Sequence, residues 1–200
     1  MDLLIYICYT MNNSDIQDRV FEKIDFLENP LPRGNYESCS FVNCIFSTAD
    51  ISNSNFSECT FKACNMSNVK MTKTALRDVV FKDCKLLGIH FENCNDFLFS
   101  VAFENCFLNL SSFYKLSLKK IKFKNCSLQE VDFTESDLSS SVFDNCDLAL
   151  AIFKNTLLEK ADFRTAYNYS IDLEINRVKK AKFSRAGVVG LLDTYDIEIE

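Results

Sequence analysis

Apolar residues recur every five positions along most of this chain. From Tyr36 they fall at Phe41, Phe46, Ile51, Phe56, Phe61, Met66, Met71, Leu76, Phe81, Leu86 and Phe91, and after a break they resume at Leu98, Phe103, Leu108, Phe113, Leu118, Phe123 and Leu128. The frame runs on through Phe133, Leu138, Phe143, Leu148, Phe153, Leu158 and Phe163, then Leu173, Val178 and Phe183, with Asn168 as its one defect. Two positions ahead of each sits a small or β-branched residue, as in Ala49-Asp50-Ile51 and Cys146-Asp147-Leu148, and the other three positions are mainly polar. Neither the helical period of about 3.6 nor the strand period of two gives this pattern. A chain that turns a corner every five residues does.

A second period, of twenty, sets the number of corners per coil, because residues stacked in a solenoid resemble one another. Phe21, Phe41, Phe61 and Phe81 are twenty apart, and so are Phe103, Phe123, Phe143, Phe163 and Phe183. Cys44, Cys64 and Cys84 form a parallel column that Cys106, Cys126 and Cys146 continue. The expected fold is therefore all-β, a four-sided parallel β-helix with the phenylalanines inside. Both columns jump by 22 at the same coil, which places a two-residue bulge within Glu92-Asn93-Cys94-Asn95-Asp96-Phe97 and puts Leu98 in the inward column of Leu118, Leu138 and Leu158. With strands about 4.8 Å apart, roughly eight coils make a rod about 40 Å long.

Solenoid ends expose apolar surface and unpaired backbone, so they need caps. Residues 1–20 read as a partly disordered leader, 21–185 as the β-helix and 186–200 as a cap. Within the leader, Met11 opens a more ordinary polar stretch and is a possible alternative start. Residues 186–195 read as a short helix and Asp196-Ile197-Glu198-Ile199-Glu200 as an edge strand. Val188, Leu191, Leu192 and Tyr195 would either form a seam between two copies or fold back on their own coil.

Composition narrows the picture. Hydrophobic residues make up 48% of the chain, enough for a continuous core, yet only four glycines and two prolines are present, too few for a hairpin-rich sandwich. No apolar run is long enough to span a membrane, and the start lacks the basic region of a signal peptide. The cysteine spacing makes the thiols small buried residues of a cytoplasmic chain, not a disulfide frame. Net charge is −6, distributed as −6 over residues 1–60, +6 over 61–125, −5 over 126–170 and −1 over 171–200.

Catalysis finds no inventory. The single histidine, His90, precedes Phe91 in an outward position with no nucleophile beside it, and no glycine-rich phosphate loop exists. No cofactor or metal is implied. Stacked parallel cysteines lack the converging Cβ vectors of a disulfide. Two surface features remain. Asp132, Asp137, Asp147, Asp162 and Asp172 either present rows of negative charge to a partner or bond their own backbone at the corners. Lys115, Lys119, Lys120, Lys122 and Lys124 form a basic patch, but without interleaved aromatic rings it makes a poor single-strand platform, so direct nucleic-acid binding is not expected.

The small-[Asp/Asn]-[Leu/Phe]-x-x register over residues 34–185 resembles the pentapeptide-repeat superfamily, which implies a right-handed quadrilateral β-helix. The tail from Tyr167, with Ile171-Asp172-Leu173-Glu174-Ile175-Asn176-Arg177, is similar to the quinolone-resistance, microcin-immunity and albicidin-immunity proteins of that group. That resemblance implies a non-enzymatic homodimer joined through its C-terminal segment, which imitates duplex DNA and engages DNA gyrase or topoisomerase IV.

Overall fold

The structure, a computed structural model, describes residues 14–195 and 197–198. The chain is a right-handed parallel β-solenoid of about eight coils. Strands Val20–Glu22, Ser40–Val42, Thr60–Lys62, Val79–Lys82, Val101–Glu104, Lys122–Lys124, Val142–Asp144, Asp162–Phe163 and Lys182–Phe183 stack as one nine-stranded parallel sheet, here face one. Ser14–Gln17, Gly34–Glu37, Asn55–Ser57 and Ala75–Arg77 form a four-stranded sheet on face four. Faces two and three, and the later part of face four, are held by single parallel bridges such as Asp132↔Ile152 and Ser117↔Asp137.

The registers carry the twenty-residue period directly. Phe41 pairs with Phe61 and Phe123 with Phe143, so identical rings lie above one another. Phe103 and Phe123 stack with centroids 5.3 Å apart and planes 3° from parallel, and Phe113 meets Phe123 edge-on at 6.0 Å. Offset stacks and edge-to-face contacts are the arrangements that aromatic quadrupoles favour. Phe41, Phe61, Phe81, Phe103, Phe123, Phe143 and Phe163 are fully buried, while Phe183 is partly exposed under the cap.

The scarcity of glycine has a plain cause. The second residue after most central ones adopts a left-handed conformation with φ between 51° and 63°, and it is usually Asn, Asp, Lys, Ser or Glu. Such a conformation is strained for residues with a β-carbon, but here the ladder holds it. The N–H of Thr48, for example, donates to Ser67 O in the next coil at 2.9 Å.

Corners come in two kinds. At closed corners the N–H three residues after the central one donates back to it, as from Ala49 to Phe46 O (2.9 Å) or Ile121 to Leu118 O (3.1 Å). At open corners that local bond is missing, and eight of the nine described cysteines sit at that place. Six of these thiols, from Cys39 to Cys106, reach the coil below: Cys64 Sγ donates to Phe41 O at 3.3 Å, and the Cys64 N–H donates to Cys84 Sγ at 3.4 Å. Sulfur thus links coils where the turn cannot satisfy itself. All nine are unpaired and buried, and burial pushes the Cys59 thiol up to about 11 and that of Cys94 up to about 12.

Four expectations shift. Ser14–Gln17 pairs with Gly34–Glu37, so the solenoid begins ahead of residue 21, while Met11 lies outside the described residues. The extra two residues fall later than residues 92–97 suggested: Asn95 keeps the twenty-residue register with Ala75, and only Val101, opposite Val79, shows 22. Leu98 is consequently not inward. It occupies the left-handed corner (φ 59°) and is 63% exposed, and Phe99 packs toward Phe91 in its stead. At the far end Tyr169, buried beside Phe163, replaces the defective Asn168.

The short helix of the cap is two 3-10 segments, Gly187–Leu191 and Asp193–Tyr195. Ile197 and Glu198 are not in a strand, and the rest of the expected edge strand lies outside the described residues.

Candidate interaction surfaces of the rod

Each repeat turns three side chains outward, so the surface is a lattice of rows running along the rod. The residue before each central one lies close to the corner that follows it. An Asp or Asn there accepts the N–H of the residue two ahead: Asp50 from Ser52 at 3.0 Å, Asp132 from Thr134 at 2.8 Å, Asp137 from Ser139 at 3.0 Å and Asp147 from Ala149 at 3.2 Å. Asp162 accepts from Arg164 at 3.2 Å and Asp172 from Glu174 at 2.8 Å. The repeat favours Asp and Asn at this place because they cap their own corner.

The five aspartates singled out from sequence are not brought together. Bridge registers put Asp162 on face one, Asp147 on face two, Asp132 on face three and Asp137 on face four, and the twenty-residue period carries Asp172 to face three. Asp162 is also bound by Arg164 (2.7 Å), and Asp137 by Lys119 (3.3 Å). They form no continuous acidic row.

The electrostatics of these carboxyls follow from their contacts. The Arg164 guanidinium, above all, holds Asp162 below its ordinary value, and the Ser52 hydroxyl and N–H do the same for Asp50. For Asp137 and Asp147 burial works upward, but hydrogen bonds from Ser139 and Lys119, and from Gln129 and Asn168, outweigh it and the net direction is down.

The five lysines do sit on one coil and all are exposed, but three have acidic partners on adjoining coils. Lys115 lies 3.5 Å from Glu135, Lys119 3.3 Å from Asp137 and Lys124 3.0 Å from Glu104. Lys120 and Lys122 have no ion-pair partner among the described residues. As a continuous cationic surface the patch is weaker than its sequence suggests.

Face four carries the charge pattern that sequence inspection missed. Before the bulge it presents five acidic groups, Asp15, Asp18, Glu37, Glu58 and Asp78, against one basic group, Arg77. After the bulge it presents Lys119, Lys120, Lys160, Arg177, Lys179 and Lys180 against Asp137 and Glu159. Counting along five-residue frames alone scatters these residues; only folding the frames onto four faces collects them.

The cap closes on its own coil. Leu191, expected at a seam between copies, is 8% exposed, and Gly190 O accepts the Ile171 N–H at 2.9 Å. Gly190 must be glycine here, since a β-carbon would collide with the Tyr169 carbonyl oxygen. Val188 and Tyr195 stay exposed, with the Tyr195 hydroxyl 3.4 Å from Glu174, and Leu192 is half-buried. An open cleft lies between the cap and Tyr167–Tyr169.

Little in the way of reactive chemistry accompanies these surfaces. His90 projects outward with Nδ1 2.9 Å from Glu92 Oε1. Among the described residues no group of three or more His, Cys, Asp or Glu side chains is placed to hold a metal ion, and no helix is long and apolar enough to cross a membrane.

No curated protein matches this chain. Among solved structures, QnrB1, a plasmid-mediated fluoroquinolone resistance protein, superposes over 92% of this chain and 100% of its own with a TM-score of 0.59 at 15% identity. HetL, a pentapeptide repeat protein involved in heterocyst differentiation regulation in Nostoc sp. strain PCC 7120, covers 92% of this chain and 94% of its own with a TM-score of 0.54 at 12% identity. Both likenesses are of fold. The family model for the pentapeptide repeat region matches residues 34–97 and 96–183, three quarters of the sequence and the stretch over which the five-residue frame folds into coils, and the chain therefore belongs to the pentapeptide-repeat family.

Proposed function

We propose that this protein is a non-enzymatic binding rod whose partner is a type II topoisomerase, DNA gyrase or topoisomerase IV, and that it protects that enzyme against poisons such as quinolones. The observation that carries this reading is the acidic first half of face four. There Asp18, Glu58 and Asp78 stand on one corner row of a stiff rod, at spacings set by the coil repeat of about 4.8 Å. A groove that normally holds duplex DNA is lined with cations, and a rigid acidic edge complements it without the entropy cost of ordering a flexible chain. The likeness in fold to a fluoroquinolone resistance protein supports a partner that such drugs poison.

The aspartates on faces one, two and three act as corner caps in this reading and do not contact the partner. The test is a gyrase supercoiling assay with ciprofloxacin. Purified protein should restore supercoiling or inhibit it in a dose-dependent way, and Asp18→Lys/Glu58→Lys/Asp78→Lys should lose most of that effect while keeping the native circular-dichroism spectrum. No effect of the wild-type chain across a wide concentration range would remove the topoisomerase and leave a scaffold with another protein partner.

A further inference from the structure

We propose that face four is a self-recognition surface, on which two copies of this chain pair side by side and antiparallel about the bulge. This goes beyond the topoisomerase reading and does not rest on it. The corner row of face four runs Asp18, Ser38, Glu58, Asp78, Leu98, Lys120, Ser140, Lys160, Lys180, one residue per coil. Leu98 is the midpoint, with four coils on either side. The row is acidic ahead of it and basic behind it.

An antiparallel copy, related by a two-fold axis through Leu98, reverses the order of the coils. Asp78 then faces Lys120 of the second copy, Asp18 faces Lys180, and Ser38 and Glu58 fall opposite Lys160 and Ser140. Each of these contacts occurs twice, as an isologous interface requires. A parallel arrangement would instead set acid against acid and base against base. Among the described residues none of Asp18, Glu58, Asp78, Lys120, Lys160 and Lys180 has an ion-pair partner within its own chain, so the charges are free to be met from outside. Asp78 keeps only a hydroxyl contact from Ser100, at 2.7 Å.

The apolar side chains at the centre of the face are Phe97 and Leu98, beside the exposed Asn95 and Asp96. The bulge turns Phe97 and Leu98 into solvent, 64% and 63% exposed, with the Arg77 guanidinium 5.8 Å above the Phe97 ring. Placed on the two-fold axis, Leu98 of one copy meets Leu98 of the other, an apolar middle flanked by charge, which is the usual anatomy of a specific interface. The contact extends along the rod for about 40 Å.

Such a dimer covers the acidic strip, so a topoisomerase would have to displace the second copy. The seam is also separate from the cap, which makes the two distinguishable.

The test uses the full chain alone, by sedimentation at low and moderate ionic strength. The expected result is a dimer at low salt whose dissociation constant rises at least tenfold in Lys120→Glu/Lys180→Glu. Adding Asp18→Lys and Asp78→Lys to the same chain restores it, because the swap re-creates opposite charges across the axis. In a chain carrying Cys8→Ser, Leu98→Cys should crosslink to itself under mild oxidation, whereas the same chain with Leu98 kept, its nine described cysteines buried, should not. The charge reversals and Leu98→Cys lie at exposed positions, and an unchanged melting curve confirms folding. A chain that stays monomeric at low salt overturns the proposal, and so does a dimer indifferent to the charge reversals in which residue 98 does not crosslink.

Discussion

The rod before the bulge and the rod after it obey one five-residue frame, yet they are built differently. Before it, faces one and four are both true strands, and rings come from faces one, two and four, joined only in the last coil by Phe91 on face three, with Phe41 meeting Phe46 at 5.7 Å and Phe56 at 5.9 Å. After it, only face one keeps strands, and rings come from faces one and three, as where Phe133 meets Phe123 and Phe143 at 6.0 Å. The corners of face four change with it. On face four Cys39, Cys59 and Val79 accompany open corners and strands; Ile121, Ser141 and Ala161 accompany closed ones. The aromatic load moves from face four to face three as the corner type changes, so the square section stays filled. The bulge stands where the change is made.

The deepest test of this comparison is whether the two halves depend equally on face one, the only ladder they share. Phe61→Ala and Phe123→Ala each remove a fully buried ring stacked above and below, and each should cost about 3–5 kcal/mol in urea unfolding. A loss below about 1 kcal/mol at either position would show that its half does not rest on that ladder.

A smaller effect tests the redistribution of rings. Leu118→Phe puts a ring on face four of the second half, where Phe113 already fills face three, and should destabilise by about 1–3 kcal/mol through overpacking. Adding Phe113→Leu returns the volume and should recover more than half of that loss in the same unfolding measurement. If the double change is no better than the single one, filling of the section is not what links the two faces.

Much of this was legible in the sequence. Periods of five and twenty are strict because inward residues stack on their own kind, so Phe123 and Cys126 announce their places without a structure. The bulge coil was less legible, since a two-residue insertion leaves the frame ambiguous: Leu98 satisfies the column by count, while the backbone puts Phe99 inside. The surface was least legible. Nothing in a linear count shows that Asp132, Asp137, Asp147 and Asp162 point in four directions, or that Asp78 and Lys120 flank one leucine on one row. The cap was no more legible, since its apolar residues suit a seam or a fold-back equally; here Leu191 is 8% exposed and Gly190 packs on the Tyr169 backbone, outside the repeat frame.

Acid should separate the halves more gently than any substitution. Asp50, Asp137, Asp147 and Asp162 all have carboxyls held below the ordinary value near 3.8. A depressed carboxyl adds stability that is complete above its unfolded value and is lost as pH falls through its folded one. The loss therefore begins below about pH 4, where the unfolded chain takes up protons first. Three of the four lie after the bulge, and each accepts an N–H at its own corner. Hydrogen exchange followed from pH 5 to pH 3 should show residues 126–170 losing protection ahead of residues 41–85, and Asp162→Asn, which keeps an acceptor oxygen but no charge, should narrow the gap. Simultaneous loss in both segments would mean that the corner carboxylates do not distinguish the halves and that the rod unfolds in acid as one unit.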